Sequence, residues 1–288
     1  MRWFRFGVAA TFLLLPAIVL GHDVVVAPGQ PLADRVRQLQ PGDRLVLKPG
    51  IHRESLTLSG LTGTAEAPIM IRGERGAQLQ PTGRDGILFW PKPCRHIIIE
   101  GIKIDGAARA GIVIANSQHI VVRDCTLGNN GVWGVQTTMS DYITVEDCEL
   151  YGSKREHGVY FSTTDHPIAR NNRIHDNAGC GIHNNGDVRE GGDGMITGGL
   201  YENNLIYNNG RRGGAAINMD GVEKAIIHNN LCIGNIPLTN SATADASGNL
   251  IFKTAAESGV VDVAKYDFCL RAGSPCIDNA SEAAMGGE

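Results

Sequence analysis

Side chains able to move protons or hold an anion gather in one stretch of this sequence. Lys154-Arg155-Glu156-His157 leads into Tyr160; His183 and Asn185 follow, and Asn218 and Asp220 lie one segment further on. Imidazole titrates near neutral pH, so His183, with Tyr160 and His157, forms a candidate set for general acid–base chemistry. Arg155 and Arg189 are suited to neutralising a carboxylate, and Glu156, Asn185, Asn218 and Asp220 to binding hydroxyl groups. The segment Gly186-Asp187-Val188-Arg189-Glu190-Gly191-Gly192-Asp193-Gly194 offers carboxylate oxygens on a flexible backbone. Asp187 and Asp193, with Glu190 between them, are candidate Ca²⁺ ligands; the plainer reading is a solvated turn whose carboxylates cap backbone amides. Asp193 and Asp220 are also the candidate acid/base pair if the chemistry is hydrolytic.

These residues need elements that bring them together, and an internal repeat supplies them. HIIIEGIKIDG from His96, HIVVRDCTLGN from His119, YITVEDCELYG from Tyr142, PIARNNRIHDN from Pro167, LYENNLIYNNG from Leu200 and AIIHNNLCIGN from Ala225 align. Their turn column holds Ile102, Cys125, Cys148, Asn172, Asn204 and Asn230, at spacings of 23, 23, 24, 32 and 26. A unit this short cannot bury its own apolar face, so neighbours must stack. The apolar period is two, so the elements are strands, and strands stacked on their counterparts are parallel. The expected fold is all-β, a single-stranded right-handed parallel β-helix, with Asn172, Asn204 and Asn230 laddered at one bend. Ile112, Val135, Val159, Ile182 and Ile217 then point inward. Val113, Gln136, Tyr160, His183 and Asn218 form one outward row; Ala115, Thr138, Ser162, Asn185 and Asp220 form a second. The longest spacing, 32, places 186–194 in a loop leaving the stack beside these rows, as a roof over them. His96, His119 and His175 fall at repeat boundaries or turns and read as structural.

Composition agrees. Of 288 residues 37 are glycine and 6% aromatic, which suits many tight turns around an aliphatic core. The net charge of −4, with no long basic run, argues against a nucleic-acid partner. Residues 1–21 read as a signal peptide: Arg2 and Arg5 precede an apolar stretch from Gly7 to Leu20, too short for a typical span. The expectation is a secreted or periplasmic monomer, without membrane attachment once mature. Residues 22–40 form an N-terminal cap with a short helix at Pro31–Leu39, residues 41–260 nine or ten coils, and residues 261–288 a closing segment. Among seven cysteines, Cys125 and Cys148 occupy one repeat column and are expected stacked and unbridged; Cys269 and Cys276 are the better disulfide pair. No Cys/His pattern of metal-site spacing is read from the sequence.

Through these repeats, over about 96–235, the chain resembles the right-handed parallel β-helix proteins of the pectate-lyase-like superfamily. Its opening coils, Pro41-Gly42-Asp43-Arg44-Leu45-Val46-Leu47-Lys48-Pro49-Gly50 and Ala67-Pro68-Ile69-Met70-Ile71, are similar to the chondroitinase B and alginate lyase group. The ending Asp267-Phe268 … Ala272-Gly273-Ser274-Pro275-Cys276-Ile277-Asp278 resembles the phrase that closes many such solenoids. The resemblance implies a polysaccharide lyase-like activity, β-elimination on an acidic, uronate-containing polysaccharide. A non-catalytic glycan-binding solenoid and a glycoside hydrolase of the same fold stay open as alternatives. The chain departs from the nearest patterns: it lacks the Lys-and-Arg pair with Asn/Glu metal ligands of the chondroitinase B group. It also lacks the Asn-Thr-Asp string of the hydrolases, and Asp165-His166-Pro167 reverses the order found in mannuronan epimerases.

Overall fold

The computed structural model describes residues 21–186, 188–262 and 267–276, without the side chains of Glu190 and of 261–270. The expected leader thus lies outside the described residues, Gly21 apart. Short alternating apolar runs form strands, and each strand finds its partner one coil away. Gln118–Arg123, Thr126–Gly128 and Trp133–Thr138 follow one another in a single coil. They pair in parallel with Asp141–Glu146, Glu149–Tyr151 and Val159–Ser162 of the next. Repetition builds three parallel sheets, here called I, II and III in coil order, of ten, nine and eight strands. The register is the one the repeat implies: Ile112, Val135, Val159, Ile182 and Ile217 stand in line and are fully buried.

The bend between sheets I and II shows why this sequence turns where it does. Each bend places one residue in the left-handed region just before the ladder position. Asp124, Asp147, Asn171, Asn203 and Asn229 adopt φ between 51° and 55° there, a conformation that Asn and Asp tolerate better than most residues. The following asparagines form the ladder. Asn172 Nδ2 donates to Asn204 Oδ1 (3.0 Å), Asn204 Nδ2 to Asn230 Oδ1 (2.9 Å), and Asn230 Nδ2 to Asn249 Oδ1 (2.9 Å). The same oxygens accept the backbone N–H of the rung below, as Asn204 Oδ1 does from Asn172 N at 3.0 Å. The turn amides of Cys148, Asn172, Asn204 and Asn230 are thereby each satisfied by an asparagine side chain one coil away. Cys125 and Cys148 continue the column as free, buried thiols, with Cys125 N donating to Cys148 Sγ.

Two expectations change at the ends. The helix expected at Pro31–Leu39 is a single turn, Ala33–Val36. Pro41 disfavours helical backbone at Gln40 and limits its length, while Leu32, Val36 and Leu39 still bury against the core. The carboxylate of Glu54 accepts from Leu32 N and Ala33 N at 2.9 and 3.1 Å. At the other end Cys276 is a free, buried thiol directed at Ser258 O (3.3 Å) rather than half of a disulfide; the Cys269 side chain lies outside the described residues. Among the described residues no helix is long and apolar enough to cross a membrane.

Candidate functional site

Sheet III carries the candidate site because four successive strands bear polar residues at its outward positions. Gln136, Tyr160, His183 and Asn218 stand in register, as do Thr138, Ser162, Asn185 and Asp220. Tyr160, His183, Asn185, Asn218 and Asp220 are half-buried. Tyr160 and His183 meet edge to face with centroids 5.2 Å apart. Asn185 Nδ2 donates to the Tyr160 hydroxyl at 3.2 Å, and Asn218 Nδ2 lies 3.4 Å from His183 Nε2. Asp220 Oδ1 accepts from Thr239 Oγ1 (3.2 Å) and from Asn240 Nδ2.

Ser162 departs from the expected outward patch. It is fully buried and its hydroxyl lacks a protein partner, as does the buried Thr138 Oγ1. Both sit at the strand end where the long insertion leaves sheet III. The described contacts of that insertion lie at this margin. Gly191 lies against Met139, with Met139 Sδ 3.3 Å from where a β-carbon would be. Gly186 N donates to Asp220 O, and Ile196–Thr197 pairs with Val222–Glu223. Arg189 is exposed on a 3-10 turn, Val188–Glu190, at the same margin. Asp193 Oδ1 accepts from Met195 N at 3.0 Å, which is the turn-capping arrangement, and Asp187 lies outside the described residues.

His157 sits one row behind the outward face. It is 9% exposed, and both ring nitrogens are engaged: Nδ1 accepts from Cys180 N at 2.9 Å, and Nε2 lies 3.1 Å from Glu156 Oε2. Burial, reinforced by the neighbouring His183, pushes its pKa down to about 3, so the ring is neutral at physiological pH. Burial likewise lowers the pKa of His183, while Asp220 pulls it back up. Arg155 is exposed, and its Nε donates to Gly131 O at 3.2 Å on the margin opposite the insertion.

Three residues beyond the sequence-derived set belong to this neighbourhood. Trp133 stacks on Tyr160 at 5.9 Å. Cys180 lies one coil above His157, its Sγ 3.8 Å from His183 Nδ1. Arg211 Nη2 donates to Ser153 O at 3.3 Å, so a residue 56 positions after Arg155 returns to the same margin. The signal for Cys180 was in the sequence: it follows His157 by 23, one coil, and precedes His183 by three. Arg211 gave no such sign, because its return depends on the shape of the bend between sheets II and III.

Residues 82–192 match a family model described as a right handed beta helix region. Among solved structures, pectate lyase Pel9A superposes with a TM-score of 0.65 at 14% identity, covering 91% of this chain and 92% of that one. The PL6 family alginate lyase AlyGC gives 0.62 at 16% identity over 80% of this chain and 35% of its own. An alginate lyase from Paenibacillus sp. str. FPU-7 gives 0.54 at 16% identity, covering 82% and 78%. At these identities the likeness is one of fold: the chain is a right-handed parallel β-helix. Among curated proteins none matches the sequence significantly.

Proposed function

We propose that the protein is a polysaccharide lyase-like enzyme that cleaves a uronate-containing glycan by β-elimination at the outer face of sheet III. The observation that carries this reading is the Tyr160–His183 pair, edge to face at 5.2 Å on a shelf with arginines at both margins. The C5–H and the glycosidic oxygen sit on adjoining carbons, so a base and an acid on neighbouring coils, each at hydrogen-bond reach, can serve one each. The neighbours of this fold that are named pectate and alginate lyases add weight to the substrate class.

In this reading Arg155 and Arg211 on one side, or Arg189 on the other, neutralise the uronate carboxylate and so acidify C5–H. The neutral His183 imidazole takes the C5 proton. The C–H electron pair becomes the C4–C5 double bond, the C4–O bond breaks, and Tyr160 donates its proton to the departing oxygen. Asn185 holds the Tyr160 hydroxyl, and Asn218 orients His183. His157, buried and doubly bonded, positions the backbone of Cys180 instead of touching substrate. A hydrolytic reaction is less well served, since Asp193 and Asp220 are both committed to holding neighbouring groups. Ca²⁺ bound through Asp187 and Asp193 remains part of the proposal as an alternative means of carboxylate neutralisation. Incubation with a panel of uronate polymers should yield unsaturated product absorbing in the ultraviolet. Retention of those polymers without product from any of them would instead make the face a binding shelf.

A further inference from the structure

We propose that His157, Cys180 and His183 form a binding site for a borderline-soft divalent metal ion, of which Zn²⁺ is the type. One ligand atom from each lies within 4.8 Å of the others. The three come from two adjacent coils. Cys180 stands directly above His157 because Val159 pairs with Ile182, and His183 is three residues further along the upper strand. A thiolate with two imidazoles is the donor set that favours zinc over calcium or magnesium.

The surroundings are arranged as supporting groups around a metal would be. His157 has its Nδ1 toward Cys180 and its Nε2 on the Glu156 carboxylate at 3.1 Å. His183 has its Nδ1 3.8 Å from Cys180 Sγ and its Nε2 3.4 Å from the Asn218 side-chain amide, which turns its oxygen to the ring to accept Nε2–H when Nδ1 ligates. Each ring therefore offers one nitrogen to the centre while its other nitrogen is held by a polar partner, which fixes ring orientation. Cys180 Sγ already accepts Ala215 N–H at 3.3 Å, a contact that also stabilises a metal-bound thiolate. Room for this contact comes from Gly214, where a β-carbon would fall 3.2 Å from the sulfur and 2.8 Å from backbone atoms. To ligate, His157 exchanges its bond to Cys180 N for the metal, and side-chain rotation draws the ligand atoms, now within 4.8 Å of one another, to the closer spacing of a tetrahedral site. Three protein ligands leave a fourth position, and His183 places it toward the shelf.

This inference goes beyond the elimination chemistry and makes a separate demand. With metal bound, the His183 lone pair is occupied, so metal and proton transfer compete for one imidazole. The test is titration of the chelator-treated full chain with Co²⁺, followed by absorbance, then displacement by Zn²⁺. The expected result is one equivalent bound with an intense thiolate-to-cobalt charge-transfer band, displaced by one equivalent of Zn²⁺. Cys180→Ser should abolish the band and weaken Zn²⁺ binding at least 100-fold, with an unchanged circular dichroism spectrum. His183→Gln, at a half-buried position, serves as the second variant should Cys180→Ser misfold. No band at equimolar Co²⁺, or a band that survives both variants, overturns the site. Neither readout involves a glycan, so loss of the metal site leaves the lyase reading standing, and the reverse.

Discussion

Two groups of aromatic side chains climb the solenoid on different sheets, and their geometries are opposite. On sheet I, His96, His119, Tyr142 and His166 stack with centroids 4.6, 4.8 and 4.8 Å apart and planes within 17° of parallel. On sheet III, His157, Tyr160 and His183 cross at 40°, 52° and 90°. The sheet I stack comes from one row with one rotamer repeated at the coil spacing. All four residues hold φ between 51° and 56°, an unusual backbone for bulky side chains, at one equivalent position in each coil. Gly198 ends the row, with the His166 ring lying where its side chain would project. Ring faces are used up on each other, and only edges reach solvent. The sheet III cluster draws on two neighbouring rows, so its ring nitrogens and a thiol converge. A repeated row builds scaffold; rows that break their own repeat bring unlike groups together.

The largest effect expected from this contrast is on turnover. His183→Ala should lower the rate of unsaturated product formation by about 10²–10⁴-fold with little change in melting temperature, since the ring is half-buried outside the core. Tyr160→Phe should act on the same step, and His119→Ala on sheet I should leave the rate unchanged. A His119→Ala variant as impaired as His183→Ala would erase the distinction between the two faces.

Next comes acid stability of the metal-free protein. An unfolded histidine takes a proton near pH 6.5, whereas His157 in the fold does so only near 3. Between those values the unfolded state binds more protons, so stability falls as pH falls. The contribution is roughly 5 kcal/mol when fully developed, at about 1.4 kcal/mol per pH unit. His183 shifts in the same direction and adds to it. Denaturant unfolding from pH 7 to 4 should show this slope, and His157→Gln should flatten it. An unchanged slope in that variant would mean that His157 carries a charge in the fold.

The repeat column of Cys125, Cys148, Asn172, Asn204 and Asn230 made the sheets, the register and the inward row legible, because stacking imposes one spacing on every strand. It also put Tyr160 next to His183 without coordinates. What it did not show was which outward positions remain outward. Ser162 has the polarity of a surface residue but is fully buried at the strand end from which the insertion departs, and insertion paths carry no periodicity. His157 was read as part of the open face because it is polar and adjacent in sequence. Its row, running from Ala110 through Trp133 to Cys180 and Ala215, is instead mostly buried. Arg211 was not placed at this margin for a related reason, since a bend decides where an arginine returns.

A smaller effect belongs to the sheet I stack itself. Tyr142 is ringed on both faces, by His119 and His166, yet is 47% exposed. Tyr142→Ala should cost about 1–2 kcal/mol, the value of two stacking contacts with modest burial. Tyr142→Gly should cost no more than the alanine variant, because its φ of 56° suits glycine. In an ordinary strand position glycine would be the worse choice, so urea denaturation of the pair separates the two cases. Alanine proving clearly better would mean that the stack does not hold this backbone in its left-handed conformation.

The smallest effect is expected from the charges beside that stack. Arg72, Glu100 and Arg123 form one continuous ion-paired column on sheet I, with Arg72 Nε 3.2 Å and Arg123 Nη2 2.5 Å from the Glu100 carboxylate. Arg123→Ala leaves Glu100 still paired with Arg72, and both arginines are substantially exposed, so the loss should be under about 1 kcal/mol and shrink further with added salt. Among the described residues Arg155, on the sheet III margin, donates its Nε to Gly131 O. Arg155→Ala should be equally mild in stability but raise KM for an anionic polymer, with the rise fading at high ionic strength. Urea midpoints together with salt-dependent kinetics of the two variants test this. If Arg123→Ala alters KM as much as Arg155→Ala does, the polymer is read by sheet I, and the arginines that matter are those of the paired column.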